Sequence, residues 1–146
     1  MNAGTEWLVD AEGCSAELIR DSQVLRILCE EIIAKLDLRV VGEPTWHRFP
    51  TPGGITGLYL LSESHLTFHT FPETGVATFN LYCCRPRPPF SWEQRLREQL
   101  RAAKVVVRTV DRGSEVVQLD LPGNTDRTSL DPGTSEIIPM REVSGL

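Results

Sequence analysis

The stretch ITGLYLLSESHLTFHTFPETGVATFNLYCC, residues 55 to 84, contains the hairpin around which the rest of the sheet is predicted. Residues 55 to 64 are mostly apolar and predict a long strand, and HLTFHTF at 65 to 71 continues that strand or follows it closely. PETG at 72 to 75 has the composition of a turn. VATFNLYCC at 76 to 84 then returns as a second strand, so the segment predicts an antiparallel pair.

The turn determines which residues of the two strands face each other. If PETG forms a four-residue loop, Phe71 pairs with Val76. Counting back along both strands then places Ser64 opposite Cys83. A β-bulge would shift this register by one residue and bring Cys84 opposite Ser64 instead. The hairpin alone therefore does not decide whether Cys83 or Cys84 lies opposite Ser64.

The remaining elements are predicted from hydrophobic periodicity and turn residues. Strands are predicted at 6 to 11, at 39 to 49 with interruptions at Gly42 and Pro44, at 104 to 110 and, as a further candidate, at 116 to 121. A helix over 21 to 36 carries apolar residues on one face, and Ser91 with Gln94 forms a capping-box pattern that opens a second helix. The order β-α-β-β-β-α-β, joined mostly by hairpins, predicts an α+β fold. We expect a two-layer sandwich of a mainly antiparallel sheet with two helices on one face.

The other face of the predicted sheet needs a cover. A second copy of the sheet would bury it, so we expect a homodimer in a four-layer αββα-type arrangement. Residues 1 to 121 are expected to form a single domain. Residues 122 to 146 are rich in Gly, Pro, Ser and Thr and are expected to form a flexible C-terminal tail.

Composition and charge argue against several classes of protein. Hydrophobic residues make up 40% and charged residues 24% of the chain, as in an ordinary globular protein, and no apolar run approaches the roughly 18 residues that cross a membrane. The net charge of −5 and the pI of about 5.2 argue against a nucleic-acid partner. The N-terminus shows no signal-peptide pattern. The cysteines show neither zinc-ligand spacing nor a disulfide framework, so a cytoplasmic setting is expected; they are Cys14, Cys29, Cys83 and Cys84.

The central stretch also concentrates reactive side chains. Ser64 and His65 are adjacent, but no G-x-S-x-G elbow surrounds the serine, which argues against a serine hydrolase. His65 and His69 would lie roughly 13 Å apart on a strand that rises about 3.3 Å per residue, so no metal site is expected. One alternative is that these are ordinary polar residues of a strand. It is weakened by the joint pattern of Glu63-Ser64-His65, His69, Pro72-Glu73 and Cys83-Cys84.

SESHLTFHTFPETGVATFNLYCC resembles the core motif of the bacterial and archaeal S-adenosylmethionine decarboxylases. Further segments resemble that family in order and spacing: WHRF at 46 to 49, GGITG at 53 to 57, and the W-x-x-R-L helix followed by VVVRTVDRG. The resemblance covers roughly residues 4 to 113. The Ser-His-x-x-x-His-Thr-aromatic-Pro-Glu core is far more specific than a lone glycine motif.

The resemblance implies a chain that cleaves itself between Glu63 and Ser64. In the family the serine becomes a pyruvoyl group, which forms a Schiff base with the amine of an amino-acid substrate before carbon dioxide leaves. The family's proton-donating cysteine is matched by Cys84, with Cys83 as the alternative from the hairpin register. The expected product is decarboxylated S-adenosylmethionine, which supplies the synthesis of spermidine and other polyamines.

The resemblance assigns the processing base to His69 and the hydroxyl that assists processing to Thr56, where the family usually has a serine. Ser64 and His69 are five residues apart, so on one straight strand they lie roughly 16 Å apart on opposite faces. Either the chain bends between them, or His69 serves the Ser64 of another subunit. The family's paired sites at a dimer interface favour the second arrangement.

The resemblance also implies residues that bind the substrate. Glu73 matches the glutamate that holds the ribose hydroxyls, and Phe49 matches an aromatic that stacks on adenine. Trp7 is a candidate for the second aromatic wall, and Phe71 replaces the family's usual tryptophan. Glu73 could equally be a turn residue and Phe49 a core aromatic.

Some positions depart from the family pattern. The usual E-Y-G-Y is Glu73-Thr74-Gly75-Val76 here, an Asp on the following strand is Asn80, and the small Gly after the catalytic cysteine is Arg85. These changes touch the substrate pocket and leave the self-cleavage set intact. A pyruvoyl-dependent arginine or ornithine decarboxylase of the same family is therefore the alternative. A second alternative is an unprocessed, non-enzymatic homologue that dimerises.

Overall fold

The structure is a computed structural model that describes residues 3 to 113. Within this range the chain forms strands β1 (Gly4–Glu12), β2 (Thr45–Arg48), β3 (Ile55–Leu61), β4 (Ser64–Phe71), β5 (Val76–Cys83) and β6 (Lys104–Arg112). The helices of the same range are α1 (Ala16–Ile19), α2 (Ser22–Lys35) and α3 (Trp92–Leu100). None of them is long and apolar enough to span a bilayer.

The strands form one sheet in the order β2-β3-β4-β5-β1-β6, and every neighbouring pair is antiparallel. Four strands follow one another along the chain as hairpins, whereas β1 lies between β5 and β6. The predicted α+β class with a mainly antiparallel sheet is confirmed.

The sheet has one buried and one open face, because successive strand residues point to opposite sides. Along β4, Leu66 and Phe68 are fully buried, whereas His65 and His69 are exposed. The buried side chains belong to the same core as those of the helices; this core includes Leu25, Leu28 and Ile32 of α2 and Leu96 and Leu100 of α3. The helices therefore cover one face of the sheet, as predicted. We call this side the helix-covered face and the other the open face.

The open face carries large apolar side chains in solvent. The exposed apolar side chains are Leu58 and Leu60 on β3, Phe71 on β4 and Val110 on β6, and 61% of the Leu60 surface is accessible to solvent. Exposed apolar side chains grouped on one face are a feature of contact surfaces between subunits. The second copy that the sequence predicts for this face stays a prediction.

The predicted strand over residues 55 to 64 is wrong at its end. Leu61 pairs with Ser64, so the chain reverses through Ser62 and Glu63, and Ser64 begins β4. The Ser62 N–H donates to the Arg39 carbonyl oxygen at 2.9 Å, which ties the turn to the preceding loop. The turn contains neither Gly nor Pro and follows an apolar run, so the usual turn signals were missing.

Both predicted helices begin where the sequence places them. The Asp21 carboxylate caps α2 by accepting hydrogen bonds from two backbone N–H groups of the first turn, at 2.8 and 3.3 Å. α3 follows Ser91, but the Ser91 side chain makes no capping hydrogen bond, and Gln94 donates to Glu98 instead. The predicted capping box is therefore not formed.

The predicted strand over 39 to 49 is shorter than expected. Only Thr45–Arg48 is a strand, and Val40 forms an isolated bridge to Leu61, because Gly42 and Pro44 interrupt the extended chain. The candidate strand at 116 to 121, the end of the predicted domain at 121 and the predicted tail from 122 lie outside the described residues.

Glu31 joins the two long helices. Its carboxylate accepts from Arg95 at 2.6 Å and from Gln99, both on α3, and these contacts hold the pKa of Glu31 below its usual range. The Arg95 hydrogen bond is the largest cause. The ion pair is partly buried, so it contributes more than an exposed pair would.

We predict that Glu31→Gln lowers the free energy of unfolding by about 1 kcal/mol at neutral pH. A carboxyl group with a lowered pKa stabilises the fold at pH values above its ordinary pKa, and this effect is lost as the pH falls through the lowered pKa. The difference in the free energy of unfolding between Glu31→Gln and the chain with Glu31 should therefore shrink in acid. Urea denaturation on a Ser64→Ala background compares intact chains. Glu93→Gln, which removes an exposed pair with Arg97, is the control and should cost less. Equal losses at every pH would contradict the role of Glu31.

Candidate active site

Ser64 lies at the start of β4, directly after the two-residue turn. It pairs with Cys83 of β5, so the register predicted from the four-residue PETG loop is confirmed. The serine is only 9% exposed, and its buried Oγ has no hydrogen-bond partner of regular geometry among the described residues. A buried hydroxyl without a partner is costly, and it is also free to act as a nucleophile.

The carbonyl before Ser64 already carries a donor. The Cys84 N–H donates to the Glu63 carbonyl oxygen at 2.9 Å. Ser64 Oγ would attack this carbonyl in a self-cleavage reaction, and negative charge would develop on that oxygen. A backbone N–H held there polarises the carbonyl and stabilises the oxyanion.

The two neighbouring cysteines have different surroundings. Cys83 is fully buried on the helix-covered face, beside Ser64, and Cys84 is exposed at the end of β5. Burial raises the pKa of the Cys83 thiol, and the nearby Arg87 guanidinium and Ser64 hydroxyl counteract this only in part. Cys83 is therefore a protonated thiol at neutral pH, and Cys84 supplies a backbone donor to the carbonyl. Both remain candidates for the proton donor.

The predicted base lies on the open face. His69 on β4 pairs directly with Thr56 on β3, and Thr56 Oγ1 and His69 Nδ1 form a hydrogen bond of 2.8 Å. This contact orients the imidazole ring and leaves Nε2 as the ring nitrogen outside the contact. A hydroxyl that fixes a histidine in this way is a common support for general-base chemistry.

A cavity of about 360 Å³ opens beside His69. Its lining includes Phe49, Thr56, Phe71 and Glu73 together with the loop at 50 to 54. Two aromatic rings, a carboxylate, a hydroxyl and an imidazole therefore share one cleft of the size that small ligands occupy. Five residues that the resemblance singled out lie together here, although they come from three separate segments of the chain.

Trp7 does not join this group. It lies on the same side of β1 as the buried Val9, because alternate residues of a strand share a face. Its ring borders a more open groove of about 760 Å³ with Phe90 and Trp92. The expectation that Trp7 forms a second wall beside Phe49 is therefore not met within one chain.

The candidate residues thus form two groups within one chain. We call Glu63, Ser64, Cys83 and Cys84 the cleavage end, and Phe49, Thr56, His69, Phe71 and Glu73 the histidine end. Ser64 faces the helices and His69 faces the open side, in agreement with the expectation from strand alternation. Along β4 the two residues are separated by roughly 16 Å.

The family model for S-adenosylmethionine decarboxylase matches residues 5 to 113. This range contains both ends of the candidate site. The chain belongs to the S-adenosylmethionine decarboxylase family.

Curated relatives in the S-adenosylmethionine decarboxylase family cover most of the described fold. The proenzyme of Moorella thermoacetica is 34% identical over 114 residues, which are 75% of this chain and 87% of the relative. A second proenzyme, from Halalkalibacterium halodurans, is 32% identical over 120 residues, which are 82% of this chain and 93% of the relative. The crystal structure of the adenosylmethionine decarboxylase from Aquifex aeolicus is 27% identical with a TM-score of 0.66. It covers 84% of this chain and 98% of that chain.

One departure from the decarboxylase family pattern has a local explanation. Asn80 Nδ2 donates to Glu6 Oε1 at 2.7 Å, and this hydrogen bond, with the one from Arg112, holds the pKa of Glu6 below its usual range. An Asp at position 80 would set a second carboxylate against Glu6. The Asn removes that repulsion.

Sequence reasoning assigned Arg85 to the substrate pocket and missed Arg87, and the structure places both at the cleavage end. Arg85 and Arg87 both approach the Glu63 side chain, at 2.8 and 3.6 Å. The two basic residues of RPRPP at 85 to 89, directly after Cys84, were the available signal.

Proposed function

We propose that this chain is a self-cleaving, pyruvoyl-dependent decarboxylase of S-adenosylmethionine that works in the cytoplasm as a homodimer of processed two-chain protomers. The observation that carries the proposal is the Glu63–Ser64 step, where an unpartnered buried hydroxyl follows a carbonyl with a donor on its oxygen. Membership of the family and the relatives named as proenzymes support the same activity.

The proposed cleavage begins with attack of Ser64 Oγ on the Glu63 carbonyl carbon. The Glu63–Ser64 C–N bond then breaks and leaves an ester, with the Ser64 amine free. A base removes the Ser64 α-proton, the Cβ–Oγ bond breaks, and Glu63 departs as a carboxylate. The enamine left at residue 64 takes up a proton at Cβ and becomes an imine. Water then replaces the imine nitrogen, ammonia is released, and residue 64 is left as a pyruvoyl group.

We assign the removal of the α-proton to His69 of the partner subunit. The separation of roughly 16 Å along β4 supports this assignment, because it places His69 of the same chain too far from Ser64. The exposed apolar side chains of the open face support a second copy packed there, with Leu58 and Leu60 in the contact. A two-fold axis would then bring each histidine end to the other chain's cleavage end.

The surroundings of Ser64 fit a pyruvoyl group. Ser64 Oγ would leave with Glu63, and its buried position has no hydrogen-bond partner of regular geometry among the described residues, so no polar group would be stranded there beside the neutral Cys83 thiol. A pyruvoyl group supplies a conjugated carbonyl that accepts the electrons left when carbon dioxide departs. The role of this chain's cysteines is to return a proton to the substrate carbon.

The cavity at the histidine end supports the choice of substrate. Glu73 offers a carboxylate that can accept from two ribose hydroxyls, and Phe49 offers a half-exposed ring on which a purine can stack. The product would supply aminopropyl groups for the synthesis of spermidine and related polyamines. Arginine or ornithine would need neither contact.

Denaturing mass spectrometry of the purified protein tests the proposal. Cleavage before Ser64 divides the 146-residue chain into fragments of 63 and 83 residues. The larger fragment should lack a free amine and should react with a carbonyl reagent. A stable intact chain would favour the unprocessed homologue and overturn the proposal. Release of carbon dioxide from arginine or ornithine, with none from S-adenosylmethionine, would overturn only the substrate.

Replacement of each cysteine should separate the two candidates for the proton donor. If Cys84 is the donor, Cys84→Ala should lower kcat by a factor of about 100 or more, in the range of a lost general acid. Its backbone N–H remains, so cleavage should continue. Cys83→Ala keeps the exposed thiol and should retain most of the activity. The reverse pattern, measured on fully cleaved protein, would assign the role to Cys83.

A further inference from the structure

The Glu63 side chain is held between two guanidinium groups. Arg85 Nη2 lies 2.8 Å from Glu63 Oε1, and Arg87 Nη2 lies 3.6 Å from Glu63 Oε2. Both arginines follow the end of β5, and the glutamate lies in the turn before β4. The contacts therefore bridge two segments at the residue that precedes the peptide bond proposed to break.

Arg87 is the better placed of the two. Its side chain is 14% exposed, against 70% for Arg85, and it is anchored by donating from Nη1 to the Asp37 carbonyl oxygen at 3.0 Å. Its Nε is buried and has no hydrogen-bond partner among the described residues. A partly desolvated cation with an unused donor is suited to bind a further anion.

Cleavage creates such an anion in the same residue. Before the reaction Glu63 carries one negative charge on its side chain, and after it Glu63 is a chain end with a second carboxylate. We propose that Arg87, assisted by Arg85, stabilises the Glu63 α-carboxylate as it leaves Ser64 and then holds the new chain end. This inference rests on the proposed function and adds two residues that act on the leaving group.

The charges balance at each stage of the step. When the base takes the Ser64 α-proton, the C–H electrons form the Cα–Cβ double bond and the Cβ–Oγ electrons leave with the Glu63 carboxylate. The departing group carries the former carbonyl oxygen and the former serine oxygen. Two guanidinium groups then face two carboxylates, whereas without the arginines the Glu63 side chain would repel the leaving group.

A purely structural role makes the opposite prediction for one variant. If the ion pairs only brace the turn, Glu63→Gln should slow cleavage as much as removal of the arginines. If the arginines act on the leaving group, Glu63→Gln removes a competing negative charge and should make cleavage faster. Arg87→Lys keeps the charge and should restore part of the rate that Arg87→Met loses.

The test is a time course of cleavage in freshly made protein, with and without hydroxylamine, which breaks the ester before elimination. Fragments released by hydroxylamine start with a free Ser64 amine, so mass spectrometry distinguishes them from fragments with a pyruvoyl group. Arg87→Met should slow elimination by a factor of about ten and accumulate the hydroxylamine-sensitive ester, with a smaller effect for Arg85→Met. Arg97→Met, which removes an exposed pair with Glu93 on α3 and lies away from the open face, is the matched control and should cleave at the normal rate.

The outcomes separate the two proposals. If the unmodified chain never cleaves, the proposed function fails and this inference falls with it. If the unmodified chain cleaves and both arginine variants cleave at the same rate, only this inference is overturned. If cleavage is slow in both Glu63→Gln and Arg87→Met and no ester accumulates, the arginines only stabilise the turn. That result would overturn their role with the leaving group.

Discussion

Ser64→Ala should leave a single chain that never separates into fragments of 63 and 83 residues. Alanine lacks the oxygen that attacks the Glu63 carbonyl, and no other nucleophile is held against that carbonyl in the described part of the chain. The backbone donor from Cys84 remains, but polarisation alone does not break the peptide bond. Without a pyruvoyl group, decarboxylase activity should fall to the background of the assay.

The same substitution should stabilise the fold. The Ser64 hydroxyl is buried without a regular partner, and such a group costs about 1 kcal/mol or more. Replacing the CH2OH side chain with a methyl group removes that cost and leaves a cavity smaller than a water molecule. Ser64→Ala should therefore have a free energy of unfolding about 1 kcal/mol above that of another uncleaved variant.

Stability is compared on a His69→Ala background, where chains with Ser64 and with Ser64→Ala are both expected to remain uncleaved and differ only at residue 64. Urea denaturation of that pair gives the free energy of unfolding, and denaturing mass spectrometry of the Ser64→Ala single variant reports cleavage. Fragments of the usual masses from Ser64→Ala would show that the serine oxygen is not the nucleophile. Equal or lower stability of Ser64→Ala would show that the hydroxyl has a partner that the uncleaved fold supplies.

The register of the central hairpin was predictable because its turn has a clear sequence signal. PETG carries Pro and Gly, and once its length is known the pairing of Ser64 with Cys83 follows by counting. The turn at Ser62 and Glu63 carries no such signal, so β3 and β4 were not separated. That one omission hid a second contact. When Leu61 pairs with Ser64, Thr56 must pair with His69.

Other features depend on contacts between distant segments. The apolar pattern of β1 indicates a strand but does not say that it lies between β5 and β6. α1 has four residues, too few to show a helical period. Trp7 and Phe49 are both aromatic, and only the three-dimensional structure separates them onto opposite sides of the sheet. Arg87 acquires its surroundings from Asp37 and Glu63, which are far from it in sequence.

A mixed dimer of one Ser64→Ala chain and one His69→Ala chain should cleave, although neither variant cleaves alone. One of its two sites combines the intact Ser64 of the second chain with the intact His69 of the first. The other site lacks both groups. Cleavage should therefore affect only the His69→Ala chain, so that at most half of all chains separate into fragments.

Two different affinity tags, selected in sequence after co-expression, isolate the mixed dimer, and the masses of the fragments identify which chain was cut. Sites built within one chain would give no cleavage, since each chain lacks one of the two groups. A bend that brought His69 to its own Ser64 would produce that result.

A second pairing reverses the expectation and guards against a false positive. An unmodified chain paired with a Ser64→Ala, His69→Ala double variant has Ser64 and His69 together in one polypeptide, but each faces an alanine across the interface. Shared sites predict that this dimer stays intact, whereas sites within one chain predict that the unmodified chain is cut. Because β4 separates Ser64 from His69 of the same chain by roughly 16 Å, we expect the first result. The open face would then be part of the active site as well as the surface on which two copies meet.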